Sequence, residues 1–186
     1  MRIISGILKG KKINEPKDIR TRPLKDLTKE SIFNIIAHSN KFKVNLTNAN
    51  VLDLFSGVGS FGIECLSRGT KKVVFIENYN GVLPILKKNL SYLKENNNYE
   101  IFNLNIYEDE TFIKLDNKFD IIFLDPPYKD KHIDKLLLNI KKTKILNRNG
   151  IIILHRNKKE INSITSDFKI VEEKIYGISK IIFLVN

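Results

Sequence analysis

From Asn50 onwards the chain alternates between short apolar runs and amphipathic stretches, and this alternation constrains the fold more than any other feature. It predicts strands at 51–55, 73–77, 100–104, 120–124 and 150–155, and helices near 60–68, 80–95, 108–115 and 131–142. Strands that alternate with helices form a parallel sheet covered by helices on both faces. Gly177 then separates two further strand-like runs, which predicts a terminal hairpin. We therefore expect an α/β fold with a seven-stranded, mostly parallel sheet.

The first 43 residues lack this alternation and carry much of the positive charge. The net charge of the chain is +11, and residues 1–43 contain eleven basic and four acidic side chains. A local excess of basic charge is typical of a surface that binds a nucleic acid. A lysine-rich composition from an AT-biased genome is the alternative, although it does not explain why the charge is localised. The candidate contacts are Arg2, Lys9, Lys11, Lys12, Arg20, Arg22, Lys25 and Lys29.

Residues 1–43 predict a small extension that precedes a main domain at 44–186. Two short apolar runs around Gly6 and Gly10 predict a β-hairpin at 2–14. A basic loop follows, and the segment "LTKESIFNIIAHS" has apolar residues at helical spacing. We expect a hairpin, a loop and a helix that together dock the nucleic acid.

The composition also limits the class of protein. The longest apolar runs are too short for a membrane helix, and the first residues lack the apolar block of a signal peptide. One cysteine excludes an internal disulfide and a multi-cysteine metal site, which fits a cytoplasmic protein without a metal ion. We expect Cys65 to be packed on a helix, His132 to be a solvated loop residue and His155 to be structural.

The segment "VLDLFSGVGSFGIECLSRG" predicts a strand, a glycine turn and a helix. Gly57, Gly59 and Gly62 match the dinucleotide-binding pattern, and Glu77 lies 20 residues after Gly57, so an NAD-binding domain is a serious alternative. Asp53 opposes it, because a carboxylate before the loop would repel the pyrophosphate that such a loop holds. S-adenosylmethionine has no phosphate and carries cationic sulfonium and amino groups. The acidic residue therefore favours S-adenosylmethionine.

The ends of the second and third strands supply further candidate contacts to this cofactor. Glu77 can accept hydrogen bonds from both ribose hydroxyls, Asn105 can supply an amide for the adenine edge, and Ile106 can supply an apolar wall. Glycines in the loop let the backbone approach the ligand closely. The predicted cofactor-binding set is Asp53, Phe55, Gly57, Gly59, Glu77, Asn105 and Ile106.

In the segment "FDIIFLDPPYKD" a buried strand ends on Asp125, which two prolines and Tyr128 follow. Because a Pro-Pro step cannot continue a strand, it holds the carboxylate at the carboxyl edge of the sheet, where ligands of such sheets bind. The Asp125 carboxylate and the Pro126 carbonyl could accept the hydrogens of an exocyclic amine and turn its lone pair towards a methyl donor. Tyr128 could stack on an unstacked base, and Pro127 would fix the two groups relative to each other. The segment predicts a clamp for methylation of an amine.

Five segments together resemble the RsmD-type 16S ribosomal RNA guanine-N2 methyltransferases: "MRIISGILKGKKI", "RTRPLKDLTKESIFNII", "VLDLFSGVGSFGIECLSRG", "FDIIFLDPPY" and "EEKIYG". The resemblance implies a Rossmann-like class I fold and S-adenosylmethionine as the cofactor. It also implies methylation of guanine N2 in 16S rRNA, with the 30S particle as partner. We expect residues 1–43 to dock the RNA through their charge, and we expect a monomer. The sequence departs from the family pattern at Leu24, Lys25 and Leu27, at Tyr79, and near His155.

Two other functions stay open at the level of sequence. A DNA adenine-N6 methyltransferase would also use Asp-Pro-Pro-Tyr, although the chain has no evident domain for reading DNA bases. A catalytically silent RNA-binding assembly factor could keep the fold, although the cofactor and clamp residues are all present.

Overall fold

The computed structural model describes residues 1–16, 24–93, 98–115, 117–127, 129–160 and 167–186. Its centre is one seven-stranded sheet with the order β3-β2-β1-β4-β5-β7-β6. The strands are β1 (Asn50–Leu54), β2 (Lys72–Ile76), β3 (Tyr99–Phe102), β4 (Phe119–Leu124), β5 (Leu146–Asn157), β6 (Lys169–Tyr176) and β7 (Ser179–Val185). The first five strands are parallel, and β7 pairs antiparallel with both β5 and β6. The predicted α/β fold with a seven-stranded, mostly parallel sheet is confirmed.

Five α-helices accompany the sheet in the described part of the chain, and the last four connect strands where the alternation predicted them. They are α1 (Asp26–His38), α2 (Ser60–Ser67), α3 (Leu83–Leu90), α4 (Asp109–Ile113) and α5 (Ile133–Thr143). Single 3-10 turns lie at Leu46–Asn48 and Ser91–Leu93. Within the described ranges, no helix is long and apolar enough to cross a membrane.

The central strands bury both of their faces because neighbouring residues point to opposite sides of a sheet. Val51 belongs to the apolar cluster beneath α1, α2 and α3, whereas Leu52 belongs to the cluster beneath α4 and α5. Ile121 and Ile122 on β4 divide between the two clusters in the same way. The continuous apolar runs in the sequence therefore fill two cores at once.

Strand β5 begins four residues earlier than its apolar run predicts. Its register with β4 shifts, since Phe119 pairs with Leu146 whereas Ile121 pairs with Ile151. The polar residues "NRN" are therefore accommodated in an irregular first part of the strand, and the regular pairing begins near Gly150.

The N-terminal extension packs on the same core as the sheet. Ile3, Leu8 and Ile13 belong to the cluster beneath α1, α2 and α3. The segment 2–14 was expected to be a β-hairpin, but in the described part of the chain it forms turns with one isolated antiparallel bridge between Arg2 and Lys12. Backbone hydrogen bonds join Ile3 to Gly10 and Lys11 and join Ile13 to Met1, so the two arms are antiparallel, while the turn between them bonds to Glu64 and Ser67 of α2.

Glu64 on α2 holds the N-terminal segment in place. Its side chain is fully buried and accepts hydrogen bonds from the backbone N–H groups of Ile4 (2.7 Å) and Ser5 (2.9 Å). Gly6 has a φ of +83°, and an added Cβ there would lie 1.8 Å from the carbonyl oxygen of Ser67. Only glycine fits this close approach to the end of α2.

Lys29 corrects one expectation from the sequence. Its side chain on α1 is fully buried, its Nζ donates to the carbonyl oxygen of Arg2 at 2.7 Å, and it lies 3.5 Å from the Glu64 carboxylate. Burial lowers the pKa of Lys29, whereas Glu64 and Asp26 oppose this effect. The prediction that Lys29 contacts RNA is wrong, because this cation joins α1, α2 and the N-terminal segment inside the protein.

We expect Lys29→Ala to lower the free energy of unfolding by about 3 kcal/mol, because it leaves Glu64 buried without one of its cations. Urea denaturation measures this loss. Lys43→Ala is the matched control, since Lys43 is exposed and its removal should change stability by less than about 0.5 kcal/mol. Equal, small losses for both variants would contradict the structural role of Lys29.

Candidate active site

A cavity of about 830 Å³ opens at the carboxyl edge of the sheet. It lies where the strand order reverses, because β1 has β2 on one side and β4 on the other, and ligands of α/β sheets bind at this position. Its volume is within the range of small-molecule sites. The predicted site residues that line it are Asp53, Phe55, Gly57, Glu77, Asp125, Pro126 and Pro127, and Lys25 lies on its rim.

The glycine loop turns the chain sharply from β1 into α2. Gly57 (φ +54°) and Gly59 (φ +82°) have left-handed backbone conformations that favour glycine, and Phe55 also has a positive φ of 60°. Gly59 caps α2 without lining the cavity, and a Cβ there would lie 2.5 Å from Leu86. Gly57 therefore approaches the ligand space, whereas Gly59 makes the turn possible.

Asp53 is the most deeply buried carboxylate of the cavity. Only 1% of its surface is exposed, and its Oδ2 accepts a hydrogen bond from the N–H of Gly62 at 3.0 Å. Burial raises the pKa of Asp53 well above its usual range, and the carboxylates of Asp125 and Glu77 raise it further. A cationic ligand would offset this accumulation of negative charge.

Glu77 follows β2 and is fixed by the backbone around it. Its Oε2 accepts from the N–H of Gly57 (2.8 Å) and its Oε1 from the N–H of Tyr79 (2.7 Å). Each carboxylate oxygen can accept a second hydrogen bond, so the side chain can still receive a pair of hydroxyls. Tyr79, where the sequence departs from the family pattern, does not disturb this arrangement, because it contacts Glu77 through its backbone N–H.

Asn105 and Ile106 lie beside the main cavity instead of within it. They line a smaller pocket of about 40 Å³ together with Phe55, Glu77 and Tyr107. The Asn105 Oδ1 accepts from the N–H of Tyr107 at 3.1 Å, so its side-chain carbonyl already has a partner. Since Phe55 and Glu77 line both spaces, this pocket extends the site on the β2 and β3 side.

The Asp-Pro-Pro segment lines the cavity at the end of β4, next to the end of β1. Asp125 directly follows β4, and its Oδ1 lies 2.7 Å from Nδ1 of His155 at the carboxyl end of β5. Tyr128, the predicted stacking residue, lies outside the described residues. His155 was expected to be structural, yet it lines the cavity and contacts the central carboxylate of the predicted clamp.

Arg156 is a second residue that sequence reasoning missed. It is buried, and its guanidinium donates to the carbonyl oxygens of Pro127 (3.1 Å) and Asp130 (2.7 Å). Asp130 is also held by the hydroxyl of Tyr107, which donates to its Oδ2 at 2.5 Å. The sequence contains a signal for both residues, because His155 and Arg156 are polar and directly follow the apolar run "IIIL". The end of that run lies at the same edge of the sheet as Asp125.

Of the predicted RNA-binding residues in the described part of the chain, Lys25 lines the cavity and the others do not. Arg2, Lys9, Lys11, Lys12 and Lys25 are all exposed. Lys25 is at the cavity rim, whereas the Lys11 Nζ lies 4.8 Å from the ring of Tyr92, which follows α3 and does not line the cavity. Arg20 and Arg22 lie outside the described residues.

The fold and this site define a methyltransferase of the Rossmann-like class. Three comparisons identify the particular family. A family model described as "Conserved hypothetical protein 95" matches residues 1–185, so the chain belongs to this family, to which the RsmD-type methyltransferases also belong. The resemblance read from the sequence segments is thereby confirmed.

Two of the relatives match almost the whole chain. "Putative rRNA methyltransferase YlbH" of Bacillus subtilis is 32% identical over 96% of this chain and 95% of its own length. "Ribosomal RNA small subunit methyltransferase D" of Haemophilus influenzae is 31% identical over 96% of this chain and 90% of its own. The solved structure described as "Putative methyltransferase yhhF from Escherichia coli" superposes with a TM-score of 0.82 at 25% identity, covering 99% of this chain and 96% of that one.

We expect Asp53→Asn to stabilise the ligand-free protein at neutral pH while weakening cofactor binding. Folding raises the pKa of this carboxyl group, so its ionisation destabilises the folded state. The destabilisation begins above the pKa of the unfolded chain, about 4, and reaches its full value above the raised pKa of the folded state. The melting temperature should therefore rise at about pH 8, and the gain should shrink as the pH falls.

The same variant should bind S-adenosylmethionine about tenfold or more weakly, the usual scale for losing a charged hydrogen-bond partner. Calorimetry with S-adenosylmethionine and with NAD measures both affinities. Binding of NAD without any response to S-adenosylmethionine would contradict the assignment of Asp53 to a cationic ligand.

Proposed function

We propose that the protein transfers a methyl group from S-adenosylmethionine to the exocyclic N2 amine of a guanine in small-subunit ribosomal RNA. The observation that carries this proposal is that Asp125 and the two prolines line the same cavity as Asp53 and Glu77. The names of the relatives from Bacillus subtilis and Haemophilus influenzae support rRNA as the substrate class. The 30S particle is the expected partner, and the chain is expected to act as a monomer.

The residues of the cavity fit S-adenosylmethionine. Asp53 lies where negative charge has accumulated and would favour the amino or sulfonium cation, and Glu77 keeps free acceptor capacity for the ribose hydroxyls. The pocket beside Asn105 and Ile106 would take the adenine edge, and most of the cavity wall is apolar. When bound, the cofactor would supply an electrophilic methyl group and leave as the neutral thioether S-adenosylhomocysteine, and the methylated amine would lose one hydrogen to solvent as a proton.

The chain's own residues would then orient the nucleophile. An exocyclic amine is a weak nucleophile because its lone pair is delocalised into the ring of the base. Acceptance of its hydrogens by the Asp125 carboxylate and the Pro126 carbonyl would turn the lone pair towards the methyl group. Such fixed acceptors contribute through positioning and preorganised dipoles. Tyr128 remains the proposed stacking partner for the base.

Labelled methyl transfer to isolated 30S particles, to naked 16S rRNA and to duplex DNA tests the proposal. Nucleoside mass spectrometry should find N2-methylguanosine in the rRNA. N6-methyladenine in DNA would favour the adenine enzyme, and binding to rRNA without transfer to any substrate would favour a silent assembly factor.

In the same assay we expect Asp125→Ala to lower the single-turnover rate about 100- to 1000-fold, because it removes one preorganised acceptor. Cofactor affinity should change little. The free energy of unfolding should fall by about 1–3 kcal/mol, since His155 loses its partner in a buried position. Near-normal transfer by this variant would show that another group orients the amine.

Variants at Lys25 and Lys9 distinguish RNA contacts at the cavity rim from RNA contacts elsewhere on the basic segment. Lys25→Ala should weaken binding to the particle and reduce the slope of log K against log salt by roughly 0.7–0.9, the contribution of one phosphate contact. Lys9→Ala is the comparison variant, because Lys9 is an exposed predicted contact of the same basic segment that does not line the cavity. A smaller loss than with Lys25→Ala would place the RNA at the cavity, and an equal loss would place it along the whole segment. Arg20→Ala with Arg22→Ala tests the loop arginines. If binding to the particle did not depend on salt, the basic residues of this segment would reflect the lysine-rich composition of the chain and not an RNA-binding surface.

A further inference from the structure

The contact between Asp125 and His155 follows from the register of two strands. β4 and β5 run parallel with Leu124 beside Leu154, so the next residue of each strand comes to the same point of the carboxyl edge. There, the Asp125 Oδ1 and the His155 Nδ1 lie 2.7 Å apart, and the two side chains are only 19% and 8% exposed. Both residues line the main cavity.

The chemistry of the pair determines which atom carries the hydrogen. An ionised carboxylate can only accept, so the imidazole must donate from Nδ1 for this contact to be a hydrogen bond. The donated hydrogen occupies Oδ1 and leaves Oδ2 as the oxygen available to a substrate amine. Without such a donor the carboxylate could turn about its last torsion, which has a broad energy profile.

The backbone of the same loop is held by a different residue. Arg156 donates to the carbonyl oxygens of Pro127 and Asp130, and these bonds do not involve the Asp125 side chain. The loop therefore keeps its path when His155 is changed. Within the described part of the chain, the hydrogen bond to the Asp125 side chain comes from His155, so His155 sets the direction of the carboxylate.

We propose that His155 is a positioning residue that acts through Asp125: its Nδ1–H holds Oδ1 so that Oδ2 faces the amine to be methylated. This inference rests on the proposed function. It extends the clamp from a single segment of the chain to a pair of residues on adjacent strands. His155 itself is not required to touch the substrate for this role.

Three single variants test the role of the Nδ1–H group. His155→Leu keeps most of the volume and removes the donor, and it should lower the single-turnover rate about 10- to 100-fold, the scale of a small misplacement of a reacting group. His155→Asn keeps an N–H donor near the position of Nδ1 and should recover the rate to within about fivefold of the wild type. His155→Gln places its amide nearer the position of Nε2 and should not recover it. The dissociation constants for S-adenosylmethionine and RNA should change less than about twofold in all three.

A double-mutant cycle then separates action through Asp125 from a general structural effect. In the Asp125→Ala background, His155→Leu should cause no further loss of rate, because the group that it orients is already absent. An equal loss in both backgrounds would overturn the proposal, as would a normal rate for His155→Leu or a failure of His155→Asn to exceed His155→Gln. Thermal melting identifies variants that fail to fold. If His155→Leu does not fold, the comparison of His155→Asn with His155→Gln tests the proposal.

The outcome for the wild type keeps this test distinct from the test of the function. If wild-type protein transfers no methyl group to rRNA, the proposed function fails and the variants have no rate to compare. If the wild type is active and the rescue pattern is absent, only the role of His155 is overturned.

Discussion

The in-register parallel pairing of β1, β4 and β5 is the constraint on which the site depends. Their apolar residues bury both faces of the sheet, and this burial fixes the register, since a slip of one residue would exchange the two faces. Polar residues near the carboxyl end of each apolar run therefore arrive together. Asp53, Asp125 and His155 come from three separate parts of the chain, and the shared register brings them to one cavity.

The cavity concentrates carboxylates that a stable fold alone would not favour. Asp53, Glu77 and Asp125 line one largely apolar space, and burial works against their ionised forms. Backbone N–H groups of Gly57, Gly62 and Tyr79 partly compensate by donating to two of them. A site held in this way is preorganised for a ligand with positive charge and would repel the pyrophosphate of a dinucleotide.

The N-terminal segment combines two kinds of basic residue that look alike in the sequence. Lys25 lies just before α1 and is exposed at the cavity rim, whereas Lys29, one turn later, is fully buried against Glu64. Only the first is available to RNA. The buried pair instead attaches the segment to α2, so the charged extension and the catalytic domain share one core.

Much of this fold could be predicted because its signals are local. The alternation of strands and helices, the left-handed glycines of the loop, and the Pro-Pro step after β4 all follow from the conformational preferences of neighbouring residues. The tertiary structure alone decided the bulged start of β5, the burial of Lys29 and the contact of His155 with Asp125. Lys29 and Glu64 are 35 positions apart in the sequence, and Asp125 and His155 are 30 positions apart. No local preference encodes such a contact, because it exists only once burial of the apolar faces has set which strands and helices lie side by side.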